Sequence, residues 1–163
     1  MAKKSKQKKE ELPEFKLISE NRKARFNYHL IEKFEAGIVL TGNEIKSIRS
    51  GGVSLDEAYV RPHNGELYLL GAHINEYTFS SRVSEYNPTR PRKLLLHKHE
   101  ISKLQGRVEA KGMTIVPVRL YINKRGRAKL EIALAKGKDS PDKRRDIMDR
   151  EKKREAQRAM KRG

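Results

Sequence analysis

The clearest structural signal in the chain comes from residues 26–41, FNYHLIEKFEAGIVLT. Every second residue from Phe26 to Leu40 is apolar except Glu32, and the residues between them are mostly polar. Side chains of a β-strand point alternately to its two faces, so this period of two predicts one long strand with one buried face. The strand is longer than the typical ~5–6 residues. We expect Gly37 to bend or bulge it, as happens where a sheet curls into a barrel.

The period changes directly after this strand, and residues 43–49 are predicted to form a short helix. Asn43 can cap the start of the helix, and Gly51 follows its end. Ile45 and Ile48 are three residues apart, so both would face the core.

Four further segments are predicted to be extended, namely residues 53–60, 66–74, 114–123 and 127–135. They form two hairpins, because Asn64-Gly65 is a preferred hairpin dipeptide and residues 124–126 form a second polar turn. Between the hairpins lie a polar loop, a short apolar run and a second helix, over residues 75–90, 94–96 and 97–110 respectively.

About six strands and two to three short flanking helices predict a mainly β fold, a small closed OB-like barrel. The domain is expected to span residues 14–135, between a basic arm at residues 1–13 and a basic tail at residues 136–163. The arm and tail contain too few large apolar residues to offset the entropy of ordering them. We therefore expect both to be disordered in the free protein.

The tail, KGKDSPDKRRDIMDREKKREAQRAMKRG, nevertheless has a helical pattern. Asp146 and Arg150, like Asp149 and Lys153, are oppositely charged residues four positions apart with the acid first, the favourable order on a helix. The tail is predicted to fold as a helix only against an anionic partner.

Charge and composition narrow the classes of function that the chain can have. The 163 residues carry a formal net charge of +17, which favours nucleic acid as the partner. No apolar run approaches the ~20 residues that span a bilayer, and no secretory signal is present. Cysteine is absent, so disulfides and Cys-ligated zinc are excluded.

No motif for catalysis or metal binding stands out. His97 and His99 are two residues apart and would point to different faces of a helix, so one metal ion is not expected to bind both. Glu44, Asp56 and Glu57 have no evident catalytic partner and suit cap or surface roles. We expect no enzyme, cofactor or metal site.

Three clusters of cations favour RNA or DNA binding, at residues 21–25, 90–93 and 124–127. They fall on predicted loops and strand ends, which suits contacts with a folded phosphate backbone. The chain has only four Phe and six Tyr, and several belong to the buried face. Recognition by shape and backbone is therefore favoured over stacking on a broad aromatic platform.

Four stretches resemble one known family, namely NRKARFNY (21–28), EKFEAGIVLTGNEIKSIRSGG (32–52), NPTRPRKLLL (87–96) and AKGKDSPDKRRDI (135–147). They closely resemble small protein B, SmpB, and the likeness runs from about residue 21 to the C-terminus. The resemblance implies an OB-like barrel that binds the tRNA-like domain of transfer-messenger RNA (tmRNA). It also implies entry of the complex into the vacant A site of a ribosome stalled on an mRNA without a stop codon.

The resemblance further implies contacts with tmRNA at Asn21, Glu35 and Leu95, to which Arg22 and Lys23 of the adjacent cation cluster are added. Glu35 lies on the unburied side of the long strand, where its carboxylate can accept hydrogen bonds from RNA or simply keep the strand soluble. Leu95 is equally consistent with packing in the core.

The tail matches the family segment that occupies the decoding region and then the empty mRNA path. The matching residues are Lys136, Gly137, Lys138, Asp142, Lys143 and Arg144, and Ile147 and Met160 belong to the helix that follows. Pro141 stands where relatives often carry His, so a stacking role cannot be transferred, but proline suits the first turn of a helix.

These observations predict a cytoplasmic, bacterial, non-enzymatic adaptor that binds tmRNA as a monomer and rescues stalled ribosomes. Mutual exclusion would let its tail detect an empty mRNA channel. Two alternatives stay open at this point, a ribosomal structural or assembly protein and a nucleic-acid enzyme with a cryptic site.

Overall fold

A computed structural model of the protein describes residues 15–77 and 85–161, so the basic arm at residues 1–13 lies outside the described residues. The strands are β1 (Phe15–Glu20), β2 (Tyr28–Ile38), β3 (Val53–Ser54), β4 (Tyr59–His63), β5 (Glu66–Leu70), β6 (His73–Ile74), β7 (Arg92–Leu95), β8 (Thr114–Asn123) and β9 (Ala128–Gly137). The helices are α1 (Arg22–Asn27), α2 (Gly42–Arg49), α3 (Lys98–Lys111) and α4 (Ser140–Lys161).

Six strands close into a barrel in the order β8-β4-β5-β7-β2-β9, and β9 pairs back onto β8. Strand β1 adds to β8 outside this ring, and β3 and β6 form a separate two-stranded ribbon. The predicted mainly β barrel is therefore confirmed. Both predicted hairpins form as well, with Asn64, Gly65 and Gly126 at positive φ in their turns.

Strand β2 has the predicted faces. Phe34, Ala36 and Ile38 point toward the core, whereas Lys33 and Glu35 are exposed. The strand starts at Tyr28 and not at residue 26, because α1 precedes it directly. The register shift in its pairing with β9 lies between Leu30 and Glu32, so of the bend or bulge predicted at Gly37 the bulge is wrong, and the bend stays a prediction.

Helix α2 is capped two residues earlier than predicted. Thr41 is the N-cap, its side chain accepts from the Glu44 backbone, and the Glu44 carboxylate accepts from the Thr41 backbone. This reciprocal pair is a capping box, and the sequence Thr-x-x-Glu is its signature. The assignment of Asn43 as N-cap is therefore wrong, while Ile48 is buried as expected.

Glu44 also forms the main buried ion pair among the described residues. Its Oε2 accepts from Arg92 Nε at 2.8 Å, and both side chains are fully buried. Arg90 pairs with the other carboxylate oxygen, and Arg92 also donates to the carbonyl oxygens of Ala72 and Pro88. This network ties α2 to β7, so Arg92, which belongs to a predicted RNA-contacting cluster, is a structural residue.

The tail is helical over most of its length in the structure. Strand β9 runs to Gly137, two residues beyond the predicted domain boundary, and residues 140–161 form α4. Acid–base pairs four residues apart and Pro141 in the first turn favour this helix locally. That the tail is unfolded in the free protein stays a prediction.

Replacing Glu44 by Gln is expected to destabilise the fold by about 3 kcal/mol or more, because it leaves Arg92 charged and buried without its counter-ion. Burial alone would raise the pKa of Glu44, but hydrogen bonds from Arg90, the Thr41 backbone and Arg92 hold it below its ordinary value of 4.5. The stabilisation is therefore present above pH 4.5 and is lost as pH falls through the lowered pKa.

Chemical denaturation of wild type and Glu44→Gln at pH 7 and pH 3 measures both effects. The control is Glu32→Gln, which breaks an exposed pair with Lys103 and should cost less than about 1 kcal/mol. Equal unfolding free energies for the two variants would contradict this account of the buried pair.

Candidate nucleic-acid interface

Glu35 and Leu95 lie together on the outer surface of the barrel, although they are 60 residues apart in sequence. Both line a shallow groove of about 540 Å³, together with Gly37, Lys129 and His97. We call this the β2–β7 groove, lined by Glu35, Gly37, Leu95, Leu96, His97, Glu100 and Lys129.

The groove follows from the register of four neighbouring strands. Tyr121 of β8 pairs with Lys129 of β9, Lys129 pairs with Gly37 of β2, and Gly37 pairs with Leu95 of β7. Residues in register across adjacent strands lie side by side on one face. This row therefore runs around the barrel, and Gly37, which has no side chain, leaves its middle open.

Leu95 is 52% exposed, whereas its neighbour Leu94 is buried at 1%. The alternative of core packing for Leu95 is therefore excluded. A Cβ atom at Gly37 would lie 3.2 Å from the Leu95 Cβ, closer than usual van der Waals contact. Glycine at this position lets β2 and β7 approach and leaves the leucine side chain on the surface.

Glu35 is held by a specific network. Tyr121 donates its hydroxyl to Glu35 Oε2 at 2.5 Å, and Lys129 Nζ lies 3.9 Å from Oε1. Glu131 stands directly across from Glu35 on β9, and like charges in this position repel. Arg119 and Lys33 offset the charge of Glu131, at 2.7 and 3.6 Å.

Oε1 of Glu35 accepts no hydrogen bond from any residue that the structure describes, since the 3.9 Å separation from Lys129 is too long for one. The side chain is 59% exposed. An exposed carboxylate oxygen beside a cation and an apolar side chain can accept a hydroxyl or amino donor of RNA while the lysine contacts a phosphate.

Asn21 lies apart from this groove. It precedes α1 at the opposite end of β2, and the rise from Tyr28 to Glu35 alone is about 20 Å. Its side chain is buried and caps α1 by accepting from the Ala24 backbone at 3.2 Å. The structure does not bring Asn21 together with Glu35 and Leu95.

The other polar groups of Asn21 donate hydrogen bonds to carbonyl groups of β8. The side-chain amide donates to the Pro117 carbonyl at 2.9 Å, and the backbone amide donates to the Val118 carbonyl at 2.8 Å. The register of β8 against β9 shifts at this point, which leaves those carbonyls for Asn21. This gives Asn21 a structural role, and its contact with tmRNA stays a prediction.

Arg22 and Lys23 are exposed on the first turn of α1, next to Asn21. Lys23 forms a solvent-exposed ion pair with Glu57 at 3.3 Å. The Arg22 side chain forms no ion pair with residues 15–77 or 85–161. A phosphate can therefore approach Arg22 without displacing an acid of these residues, whereas Lys23 would have to leave Glu57.

The two remaining cation clusters, at residues 90–93 and 124–127, differ in their burial and ion pairing. Arg90 is paired with Glu44, Lys93 is paired with Glu66 at 2.5 Å, and Arg92 is buried. The cations at residues 90–93, which were predicted to contact phosphate, therefore mainly stabilise the fold. In contrast, Arg125 and Arg127 at the β8–β9 turn are exposed, and their side chains form no ion pair within the described chain.

The root of the tail docks against α1 and the start of β2. Gly137 and Lys136 pair with Tyr28 and His29 as the last residues of β9. Lys138 then donates to the Arg25 carbonyl at 3.0 Å and pairs with Asp146.

The first turns of α4 continue this docking. Asp142 lies 3.1 Å from His29 Nε2. The charged groups of Lys143 and Arg150 lie 5.9 and 5.7 Å from the centre of the Phe26 ring, within cation–π range. Four predicted tail residues, Lys136, Lys138, Asp142 and Lys143, are thus part of a docking contact with the barrel domain.

Beyond this contact α4 extends into solvent. Every residue from Ile147 to Lys161 is exposed, including Met160 at 83%. Arg144 is exposed as well. Arg150 contacts Phe26, but most of this part of the helix faces solvent, and isolated helices of about 12–15 residues are marginal in water.

The predicted divergence of His97 and His99 is wrong. Their rings are stacked, with centres 5.6 Å apart, because His97 is the extended N-cap residue of α3 and not part of the helix. Among the described residues, no cluster of three or more His, Asp or Glu side chains could hold a metal ion. No described helix is long and apolar enough to cross a membrane.

Lys129, which lines the groove, and Tyr121, which bonds to Glu35 beside it, are not among the residues predicted from the sequence. The alternation in residues 127–135 indicates that Lys129 points outward, but it does not say which neighbours it meets. Nothing in the sequence marks Tyr121, because its partner Glu35 lies two strands away.

Asp142→Asn is expected to loosen the first turn of α4. The hydrogen bond from His29 holds the pKa of Asp142 below its ordinary value of 3.8, so the contact persists above that pH and is lost as pH falls through the lowered pKa. Amide exchange of residues 139–146 at pH 7 should be several-fold faster in the variant. Asp149→Asn, an exposed change on the same helix, is the control, and equal acceleration in both variants would contradict the docking contact.

Comparison with known proteins places this geometry in a family. The family model described as "SmpB protein" matches residues 18–162. A protein named SsrA-binding protein from Symbiobacterium thermophilum is 52% identical over 147 residues, which cover 90% of this chain and 92% of that one. One of the same name from Thermobifida fusca is 50% identical over 162 residues and 99% of both chains.

A solved structure is similar as well. It is described as "tmRNA-SmpB: a journey to the center of the bacterial ribosome", and it superposes with a TM-score of 0.63 at 46% identity. The match covers 77% of this chain and 87% of the other. The groove residues and the whole of α4 fall inside the segment matched by the family model, and the chain belongs to the SmpB family.

Proposed function

We propose that this protein is an RNA-binding adaptor that binds the tRNA-like domain of tmRNA and delivers it to the A site of stalled ribosomes. The observation that carries the proposal is the family match over residues 18–162, which includes both the barrel and the tail. The names of the relatives refer to SsrA binding, and the similar solved structure is described with tmRNA and the ribosome. We further propose that the adaptor is not an enzyme, needs no cofactor and acts as a cytoplasmic monomer.

The β2–β7 groove is the proposed tmRNA site. Its exposed leucine, free carboxylate oxygen and neighbouring lysine offer an apolar contact, a hydrogen-bond acceptor and a phosphate contact within one surface. A nucleotide presents the matching chemistry in its base or ribose face, its hydroxyl or amino groups and its phosphate. The net charge of +17 adds long-range attraction for RNA.

The tail is the proposed sensor of an empty mRNA channel. Its exposed part carries Lys and Arg on all sides and only a few apolar residues, such as Ile147 and Met160. Such a helix gains little stability from the barrel, but it gains electrostatic stabilisation in a tunnel lined by phosphates. Because mRNA and the helix would occupy the same space, the helix can form there only when mRNA is absent.

Groove variants test the tmRNA site. Leu95→Asp and Glu35→Gln should each weaken tmRNA binding by about tenfold or more, since one places a charge against the RNA and the other weakens an acceptor. Met148→Asp is the control, because Met148 is also an exposed apolar residue, at 56%, but lies on α4. Affinity is measured by filter binding at fixed salt, and equal effects at residues 148 and 95 would argue against the groove.

A tail truncation tests the division of labour. Removing residues 151–163 keeps the docked first turns of α4 and deletes only exposed chain. We expect tmRNA affinity to change less than about threefold, corresponding to ~0.6 kcal/mol, whereas tagging of nascent chains on stalled ribosomes is abolished. If tmRNA binding falls as much as tagging, the proposed separation of the two roles is wrong.

RNA that co-purifies with the protein separates this function from that of a ribosomal structural protein. The proposal predicts strong enrichment of tmRNA over ribosomal RNA in low-ribosome fractions. Ribosomal RNA without tmRNA would contradict it.

A further inference from the structure

Tyr121 occupies an unusual position for a buried tyrosine. It is 7% exposed, and its ring lies under the Arg119 guanidinium, 5.8 Å from the ring centre. Its hydroxyl donates to a carboxylate on a strand that is not its neighbour in the sheet. It passes across β9 and reaches Glu35 on β2, two strands away and about 10 Å between backbones.

The surrounding residues hold this bridge in place. Arg119, which covers the ring, is itself fixed by Glu131 through a 2.7 Å hydrogen bond from its Nε. Glu131 faces Glu35 across the strands, and its like charge is offset by Arg119 and Lys33. Lys129 pairs in register with Tyr121 and stands beside the other carboxylate oxygen.

The tyrosine hydroxyl is a constant donor. Burial, followed by the hydrogen bond to Glu35 and the nearby negative charges of Glu35 and Glu131, raises the pKa of Tyr121 far above its ordinary value. The hydroxyl therefore stays protonated at all physiological pH values, and Glu35 Oε2 always has its partner.

We propose that Tyr121 is a positioning residue for RNA recognition: its hydroxyl occupies Glu35 Oε2 and fixes the carboxylate so that Oε1 faces the β2–β7 groove. This inference rests on the proposed function, since it assumes that the groove binds tmRNA. The ligand group at Oε1 is a single hydrogen-bond donor, a ribose hydroxyl or an exocyclic base amine. An unrestrained glutamate side chain would lose rotamer entropy when it binds RNA. The hydrogen bond from Tyr121 fixes the rotamer before binding, so this entropic cost is smaller.

The alternative is that Tyr121 only stabilises the barrel. Tyr121→Phe separates the two roles, because phenylalanine keeps the buried ring and the contact with Arg119 and removes only the hydroxyl. A structural role predicts the same loss of affinity whatever residue stands at position 35. A positioning role predicts that the loss depends on the Glu35 carboxylate.

A double-mutant cycle on the full-length protein makes this measurement. Dissociation constants for tmRNA are determined at fixed salt for wild type, Tyr121→Phe, Glu35→Gln and the double variant. We expect Tyr121→Phe to weaken binding about fivefold in wild type and less than about twofold in the Glu35→Gln background. Tyr68→Phe, a hydroxyl removal on β5 where no hydrogen bond to a described residue is lost, should change affinity less than about twofold.

Each result decides between the two claims. The positioning role is overturned if Tyr121→Phe lowers tmRNA affinity equally with Glu35 and with Gln at position 35, or does not lower it in the wild type. The adaptor function then stands, provided that the unmodified protein binds tmRNA tightly. Failure of the unmodified protein to bind tmRNA overturns the adaptor function and this inference with it. Loss of affinity confined to the background that carries Glu35 supports the positioning role.

Discussion

Strand β2 is hydrogen-bonded to β7 along one edge and to β9 along the other, and Gly37 lies where the two ladders overlap. Closing the barrel at this point requires β2 and β7 to approach so closely that a Cβ atom at residue 37 would crowd Leu95. The same register brings Glu35 and Lys129 beside Leu95. The constraint that closes the barrel therefore also builds the surface on which the proposed tmRNA site depends.

The two ends of β2 carry different parts of the proposed function. Its C-terminal half forms the β2–β7 groove, and its first residues pair with the end of β9 and contact the root of the tail. One rigid strand thus connects the RNA-binding surface with the point from which α4 emerges. An adaptor that must hold tmRNA while its tail enters a channel needs a fixed distance between these sites, and a strand paired with β9 along most of its length provides it.

Sequence periodicity predicted the faces of the strands well. The outward direction of Glu35 follows from the alternation in β2, and the hairpin turns follow from Asn64-Gly65 and Gly126. Alternation does not specify which strand lies next to which, so the sequence could not place Glu35 beside Leu95 or find Tyr121. The family resemblance supplied Glu35 and Leu95 as a pair of positions, and the register explains why they belong together.

Charge was the least reliable guide to individual roles. Arg92 was grouped with RNA-contacting cations, yet it is buried against Glu44, and its alternation with Leu94 in β7 is the signal that could have shown this. The docking of the tail's root against the barrel domain also has no signal in its charge pattern. Its contacts with Phe26 and His29 depend on the position of α1, which the sequence analysis did not predict as a helix.

The central claim is that tmRNA lies in the β2–β7 groove, and site-specific photo-crosslinking tests it most directly. A benzophenone amino acid replaces Leu95 in one protein and the equally exposed Leu17 in another, and each complex with tmRNA is irradiated. The account predicts efficient crosslinks to the tRNA-like domain from position 95 and few from position 17. Crosslinks that form mainly from position 17, with none from position 95, would contradict it.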